Sequence, residues 1–293
     1  MSEEIFGADA PSSEERLARL MARRGLCSRR DAEDWIREGR VTVDGVVIKE
    51  PMSVDPDRQV VKVDGRRLPP EPRKLYLLMN KPKGFITGRD DPQGRRGVHE
   101  LLGDLAEKVE PVGRLDFDTE GALIFTNDGE LAHLLTHPSR QVPRRYMVKV
   151  YRRPSDEKLK AISDGAVFLE DGRVPPALVR VTSATDKDNC WVEITVTEGR
   201  NRLIRRLFAQ LRHPVAKLRR ESFGTVSIRG LERGQVRALT APEVERLRDL
   251  ARGVKPQRAG HGGKKPGHAI AKPKATRRVS KATRVVKAKR VEK

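Results

Sequence analysis

Three acids and one arginine crowd into nine residues, Gly113-Arg114-Leu115-Asp116-Phe117-Asp118-Thr119-Glu120-Gly121, the segment richest in reactive side chains. Such a stretch has several uses. Asp and Thr can simply cap a turn. Asp116 and Asp118 can hold Mg²⁺, which takes one or two carboxylates and keeps several waters. Two carboxylates can also flank a glycosidic bond, one as nucleophile and one as proton donor. The local pattern does not choose among these. His133 and His137 have the i,i+4 spacing of two zinc ligands on a helix, but no glutamate follows His133 and no third ligand accompanies them.

The elements that must position the acidic loop are legible around it. Leu75 to Met79 and Leu123 to Thr126 read as buried strands, and Asn127-Asp128-Gly129 turns into a helix carrying Leu131, Leu134 and Leu135. Residues 146–151 and 192–197 alternate apolar and polar positions, as half-buried strands do, with a helix expected over 156–163. After Glu198-Gly199, the residues Leu203, Ile204, Leu207, Phe208 and Leu211 fit one helical face, with Arg202, Arg205 and Arg206 on or beside the other. Without a regular βαβ rhythm, this predicts an α+β fold with a mixed sheet.

Upstream lies a smaller unit. Leu17, Leu20 and Met21 form a helical stripe stopped by Gly25, and Ser28 with Asp31 opens a second helix bearing Ala32, Trp35 and Ile36 and ending at Gly39. Val41, Val43 and the Asp44-Gly45 pair before Val46 to Ile48 predict a tight hairpin, and Asp64-Gly65 repeats the signal. Arg16, Arg19, Arg23, Arg24, Arg29, Arg30, Arg37 and Arg40 surround these helices, where solvated arginines are the ordinary expectation. The expected organisation is a disordered 1–13, a small domain over 14–66, a Pro-rich charged linker over 67–74, a larger domain over 75–251, and a disordered basic tail over 252–293.

The net charge of +20 is uneven: residues 252–293 hold fifteen Lys or Arg against the single acid Glu292, leaving +6 on the rest of the chain. Such a surplus calls for a polyanionic partner, nucleic acid first, because each phosphate neutralised releases counterions. A membrane surface fits less well, since the tail has no Trp or Phe face to bury. No run of about eighteen apolar residues occurs and the first fifteen residues are acidic, so a cytoplasmic protein without a membrane partner is expected. Cys27 and Cys190 lack any CxxC or Cys/His metal spacing and read as reduced thiols.

Residues 113–129, GRLDFDTEGALIFTNDG, closely resemble the catalytic motif of pseudouridine synthases of the RsuA/RluB branch. LMNKPKGFITGRDD at 78–91, RRYMVKV at 144–150 and EGRNRLIRRLF at 198–208 agree with it in order and spacing, and residues 16–64 resemble an S4 RNA-binding domain. The resemblance covers roughly 75–250 and runs closer to the large-subunit members of the branch. It implies a mixed-sheet catalytic domain, isomerisation of uridine in ribosomal RNA (23S above all), and no metal or organic cofactor. By position it assigns Asp116 as nucleophile, Tyr146 as the aromatic packed on the target base, Arg205 as the cation paired with the aspartate, and Arg114 as an RNA contact. Arg16, Arg29, Arg30, Arg40 and Arg202 are the further RNA-binding candidates. The chain departs from the family at Leu203, where Gln or Glu is common, and Asp118 is read as a loop-stabilising carboxylate. A monomer acting on ribosomal RNA or a ribosomal assembly intermediate is expected. The competing readings are a silent RNA-binding or assembly protein and a DNA-compacting protein driven by the tail.

Overall fold

The computed structural model describes residues 14–89, 91–186 and 189–254, with side chains omitted for 184–186. Of the segments expected to be disordered, 1–13 lies outside the described residues, as does 252–293 except for its first three residues, where Arg252 ends a helix that Gly253 caps.

The amino-terminal unit is built as its sequence predicts. Strand β1 (Glu15–Arg16) leads into α1 (Leu17–Arg23) and α2 (Arg29–Arg37). The Ser28 hydroxyl accepts from the Asp31 amide at 3.2 Å while the Asp31 carboxylate accepts from the Ser28 amide at 3.1 Å, a closed capping box. Strands β2 (Val41–Val43), β3 (Val46–Ile48), β5 (Val61–Val63) and β6 (Arg66–Arg67) form one sheet, while β4 (Ser53–Val54) pairs with β1. Asp44 and Gly45 both adopt positive φ, 50° and 87°, giving the turn whose twist matches its strands. Leu17, Leu20, Met21, Ala32, Ile36, Val41 and Val43 make the core, with Leu68 packed against it. Thus β6 and Leu68 carry this layer slightly past residue 66.

The larger unit is a nine-stranded mixed sheet. Its strands are β7 (Tyr76–Lys81), β8 (Glu110–Pro111), β9 (Glu120–Thr126), β10 (Arg144–Tyr151), β13 (Leu178–Asp186), β14 (Asn189–Val196), β15 (Val215–Phe223), β16 (Val226–Ser227) and β17 (Val236–Ala238); β11 (Phe168–Leu169) and β12 (Gly172–Arg173) form a separate hairpin. The order is β13-β14-β10-β15-β9-β7-β17, with β8 on β9 and β16 on β15. The β9/β15 pair is parallel, and the other ladders described here are antiparallel. Helices α3 (Gly129–Thr136), α4 (Asp156–Ser163), α5 (Leu203–Gln210) and α6 (Ala241–Arg252) cover the sheet. One core joins Leu77, Met79, Leu123 and Val148 to α5; the other joins Leu78, Ile124 and Phe223 to α3 and α6. Because both faces of β9 are covered, its residues read as a continuous apolar run, whereas β10 alternates.

Helix α6 and strands β13, β15 and β17 are among the elements absent from the sequence-based expectation. Helix α6 carried the signals, a Thr240/Glu243 capping box, Pro242 in the first turn and Gly253 in the left-handed region at its end. Strand β15 is masked by charge: of VAKLRRESF only Leu218, Arg220 and Phe223 are buried, and a bulge opposite Arg145/Tyr146 interrupts its period.

Asp128 ties the sheet to two helices. Its Oδ1 accepts from the Glu130 and Leu131 amides at the start of α3, and its Oδ2 accepts from the Tyr76 hydroxyl at 2.9 Å and Arg248 at 2.5 Å. Burial pushes this carboxyl up, but the Leu131 amide, Tyr76 and Arg248 outweigh it and hold it below its ordinary value. Asp128→Ala is expected to cost about 2–4 kcal/mol, combining the lost cap with partners left unpaired. With the folded pKa lowered, that contribution exists above the ordinary Asp range and fades as pH falls through the folded value. Urea unfolding of both proteins at neutral and acidic pH checks it: the difference should shrink in acid.

Candidate active site

The loop from Gly113 to Thr119 joins β8 to β9 and is held from below by the adjoining strand β7 and the loop after it. Lys81, the last residue of β7, is fully buried, and its ammonium donates to the carbonyls of Pro82 (3.1 Å), Asp116 (3.1 Å) and Thr119 (3.0 Å). All three of its donors are used on loop backbone. The Thr87 hydroxyl donates to the Leu115 carbonyl at 2.6 Å and accepts from the Leu115 amide at 3.1 Å, and the Gly84 amide donates to the Phe117 carbonyl at 2.9 Å. The Asp116 backbone is therefore gripped on both sides while its carboxylate stays about one-third exposed.

Burial pushes the Lys81 ammonium down to about 8, against the pull of Asp116, Asp118 and Glu120. An unfolded chain then binds more protons than the folded one between this value and the ordinary lysine value near ~10.4, so stability from this group rises with pH across that window. Lys81→Met should remove that rise, measured by unfolding at roughly pH 7.5 and roughly pH 9.5. By freeing the Asp116 carbonyl it should also lower any activity that depends on the placement of the Asp116 carboxylate, by roughly 10- to 100-fold for a shift of about 1 Å.

The opposite wall comes from α5. Arg202, in the left-handed conformation at the start of the helix, brings Nη1 to 3.7 Å from Asp116 Oδ2 and 3.9 Å from Asp118 Oδ1. Arg205, expected as the cation paired with Asp116, approaches it without a hydrogen bond and engages Asp118 more closely. Its Nη2 makes an ion pair with Asp118 Oδ2 at 2.9 Å and donates to the Asp118 carbonyl at 3.2 Å, while its Nε lies 3.9 Å from Asp116 Oδ2, beyond hydrogen-bond range. The reason is local: the turn closed by the Thr119 amide on the Asp116 carbonyl at 3.0 Å aims Asp118 down at the helix and leaves Asp116 at the rim. Asp118 is thus the anchor for Arg205, and Asp116 faces two nearby cations with its oxygens free for another partner.

Asp116, Arg114, Tyr146, Arg202, Leu203, Arg144 and Arg220 line one cleft of 600 Å³, large enough for a nucleotide. Arg114 is exposed at its mouth, and Tyr146, on β10, is nearly buried in its wall. Leu203 is buried in the core beneath α5, so the position that departs from the family pattern serves packing. Sequence reasoning missed Lys81, Thr87, Arg144 and Arg220. Lys81 had a signal, a cation ending an apolar strand, but its partners lie 35 and 38 residues away.

On the amino-terminal unit, Arg16, Arg29 and Arg30 are exposed and make no salt bridge among the described residues. Arg40 behaves differently from the expected RNA contact. Its guanidinium is taken by Asp64 through bonds of 3.0 and 2.6 Å and lies 4.5 Å over the Trp35 ring, so it works as a strap within the unit. His133 and His137 stack edge-on at 5.1 Å, and His137 caps the turn at Ser139. Among the described residues no group of three or more His, Cys, Asp or Glu is arranged to hold a metal ion, and no helix is long and apolar enough to cross a membrane.

Comparison with known proteins converges on the same segments. The family model described as RNA pseudouridylate synthase matches residues 75–210, and that of the S4 domain matches 15–60. The chain is 39% identical over 238 residues to the Bacillus subtilis (strain 168) protein named ribosomal large subunit pseudouridine synthase B, covering 81% of this chain and 97% of that one. It is 40% identical over 245 residues to the Yersinia pestis protein of the same name, covering 80% and 76%. A solved pseudouridylate synthase superposes with a TM-score of 0.57 at 28% identity, over 79% of this chain and 99% of that structure. With its S4 domain, its mixed sheet and a cleft that sets Asp116 among arginines, the chain belongs to the RNA pseudouridine synthase family and is an RNA-binding enzyme of that class.

Proposed function

We propose that the enzyme isomerises a uridine of large-subunit ribosomal RNA, free or in an assembly intermediate, with Asp116 as the nucleophile. The ribosomal target is supported by the names of the relatives that align across nearly the whole catalytic region. The role of Asp116 rests on one observation: its loop backbone is clamped by Lys81 and Thr87 while its carboxylate, facing Arg202 and Arg205 without a hydrogen bond to either, lies at the rim of a nucleotide-sized cleft.

Pseudouridine formation breaks the bond from C1′ to N1, turns the uracil, and rejoins it through C5, with the C5 proton lost and a proton gained at N1. Product and substrate are isomers, so no redox partner or phosphate energy enters. The base is inaccessible in a stacked helix, so the nucleotide must be extruded at a cost of a few kcal/mol, least in a loop. Asp116 acts at the sugar through its carboxylate, which Arg202 and Arg205 approach to 3.7 and 3.9 Å. Tyr146 packs on the uracil and holds it while detached. Arg114 contacts RNA at the cleft mouth, and Arg16, Arg29 and Arg30 supply phosphate contacts from the S4-like domain over 14–66. A monomer acting in the cytoplasm completes this proposal.

Tyr146→Phe keeps the stacking face and removes the hydroxyl. RNA affinity should stay within about threefold, because stacking supplies roughly 1–3 kcal/mol per base, while the rate falls if the hydroxyl moves a proton; gel-shift and single-turnover assays separate the two.

The deciding experiment is pseudouridine mapping of ribosomal RNA from cells lacking this protein, complemented with the native form or Asp116→Asn. Loss at one uridine, restored by the native form alone, supports the assignment and names the site. An unchanged map, or equal restoration by the variant, transfers the role to RNA binding alone.

A further inference from the structure

Two buried arginines in the cleft have no acidic partner. Arg144 is 7% exposed and donates to the carbonyls of Thr197 and Leu135, each at 3.2 Å. Arg220 is 2% exposed; its Nε donates to the Ala122 carbonyl at 2.7 Å, and its Nη2 meets no hydrogen-bond partner. Neither forms a salt bridge among the described residues. The cleft carboxylates nearby are otherwise engaged: Asp116 lies against Arg202 and Arg205, and Glu198 binds Arg200.

The sheet brings the two together. Arg220 lies directly opposite Tyr146 in the β10/β15 ladder, Arg144 precedes Tyr146 by two residues on the same face, and the bulge in β15 turns Phe223 opposite Arg144. Both guanidinium carbons stand over the Phe223 ring, 5.0 Å and 4.9 Å from its centre. The Arg144 guanidinium is held below its ordinary value, first by burial and then by the charge of Arg220. A fold that buries two like charges against one ring, one with a free N–H, stores a large penalty that an anion reaching both relieves.

We propose that Arg144 and Arg220 form a phosphate seat on the cleft floor, taking one phosphodiester beside the extruded uridine. This rests on the reading that the cleft accepts a uridine nucleotide. Uracil and ribose are neutral, so the phosphodiester is the anion that RNA brings to this depth, and the guanidinium matches it geometrically. Seating that phosphate next to Tyr146 would set the register of the sugar against Asp116, whereas the outer arginines contact the strand at large.

The test is NMR titration of the full-length protein, at fixed ionic strength, with uridine, uridine 5′-monophosphate, uridine 3′-monophosphate and inorganic phosphate. One monophosphate should bind about tenfold or more tightly than uridine, as a charge-assisted contact provides, and inorganic phosphate should compete with it. Arg220→Met and Arg144→Met should each cancel the preference, while Asp116→Asn retains it. The monophosphate preferred identifies the side of the uridine that is held. Melting curves identify folded variants; if Arg220→Met does not fold, Arg144→Met carries the comparison. Equal binding of uridine and both monophosphates, or a preference that survives in a folded Met variant, overturns the seat. A native enzyme that makes pseudouridine yet shows no preference loses the seat alone, and a preference without any modification leaves the seat and removes the catalytic reading.

Discussion

Asp116→Asn is expected to reduce pseudouridine formation by roughly 10⁴-fold or more, about 5.5 kcal/mol of barrier, with RNA affinity unchanged within a factor of about three. Asparagine is isosteric, so the clamp on the backbone is untouched: Lys81 and Thr87 hold carbonyls and an amide, not the side chain. What is lost is the negative charge and its nucleophilic oxygen. The nearby cations then face a neutral amide, and Arg205 keeps its bond to Asp118. Single-turnover kinetics on the mapped RNA, with binding measured separately, checks both halves. A fall in affinity parallel to the fall in rate would mean that Asp116 serves binding and not chemistry.

Gly121→Ala should be the most damaging single substitution for the fold. Gly121 sits at φ +113°, and a Cβ there would lie 2.2 Å from the Arg220 carbonyl oxygen, 2.7 Å from its nitrogen and 2.8 Å from its carbonyl carbon. These are backbone atoms of the partner strand, so no rotamer change relieves the contact. Residues 120 and 121 form the parallel register with 219 and 220 that joins the two halves of the sheet. Strain in the backbone and overpacking each cost about 1–3 kcal/mol, so a total of about 2–6 kcal/mol is expected. Urea unfolding of the purified variant measures it, and a loss under ~1 kcal/mol would show that the strands separate easily. Because Asp116 precedes this junction and Arg220 belongs to it, any folded fraction should also be impaired in catalysis.

The contrast between these residues separates what is local from what is not. The capping box at Ser28, the Asp44-Gly45 turn, the alternation of β10 and the apolar face of α5 depend on neighbours within a few residues, and the chain displays them directly. The motif around Asp116 was likewise legible, together with the S4-like module, because each is a contiguous run whose residue types carry the signal. Strand β15 was not legible, since its place between β10 and β9 comes from partners far along the chain and its charged residues hide an irregular buried face.

Sequence by itself therefore determined the local elements and, through contiguous motifs that resemble a known family, the class of chemistry and the carboxylate proposed as nucleophile. Tertiary structure alone decided that Arg205 meets Asp118 before Asp116, that Lys81 spends its three donors on the loop, that Arg40 is tied to Asp64, and that Arg144 and Arg220 converge on one ring. The physical reason is that a side chain's type fixes which interactions it can make, while strand order and register fix which partner lies within about 3 Å to receive them.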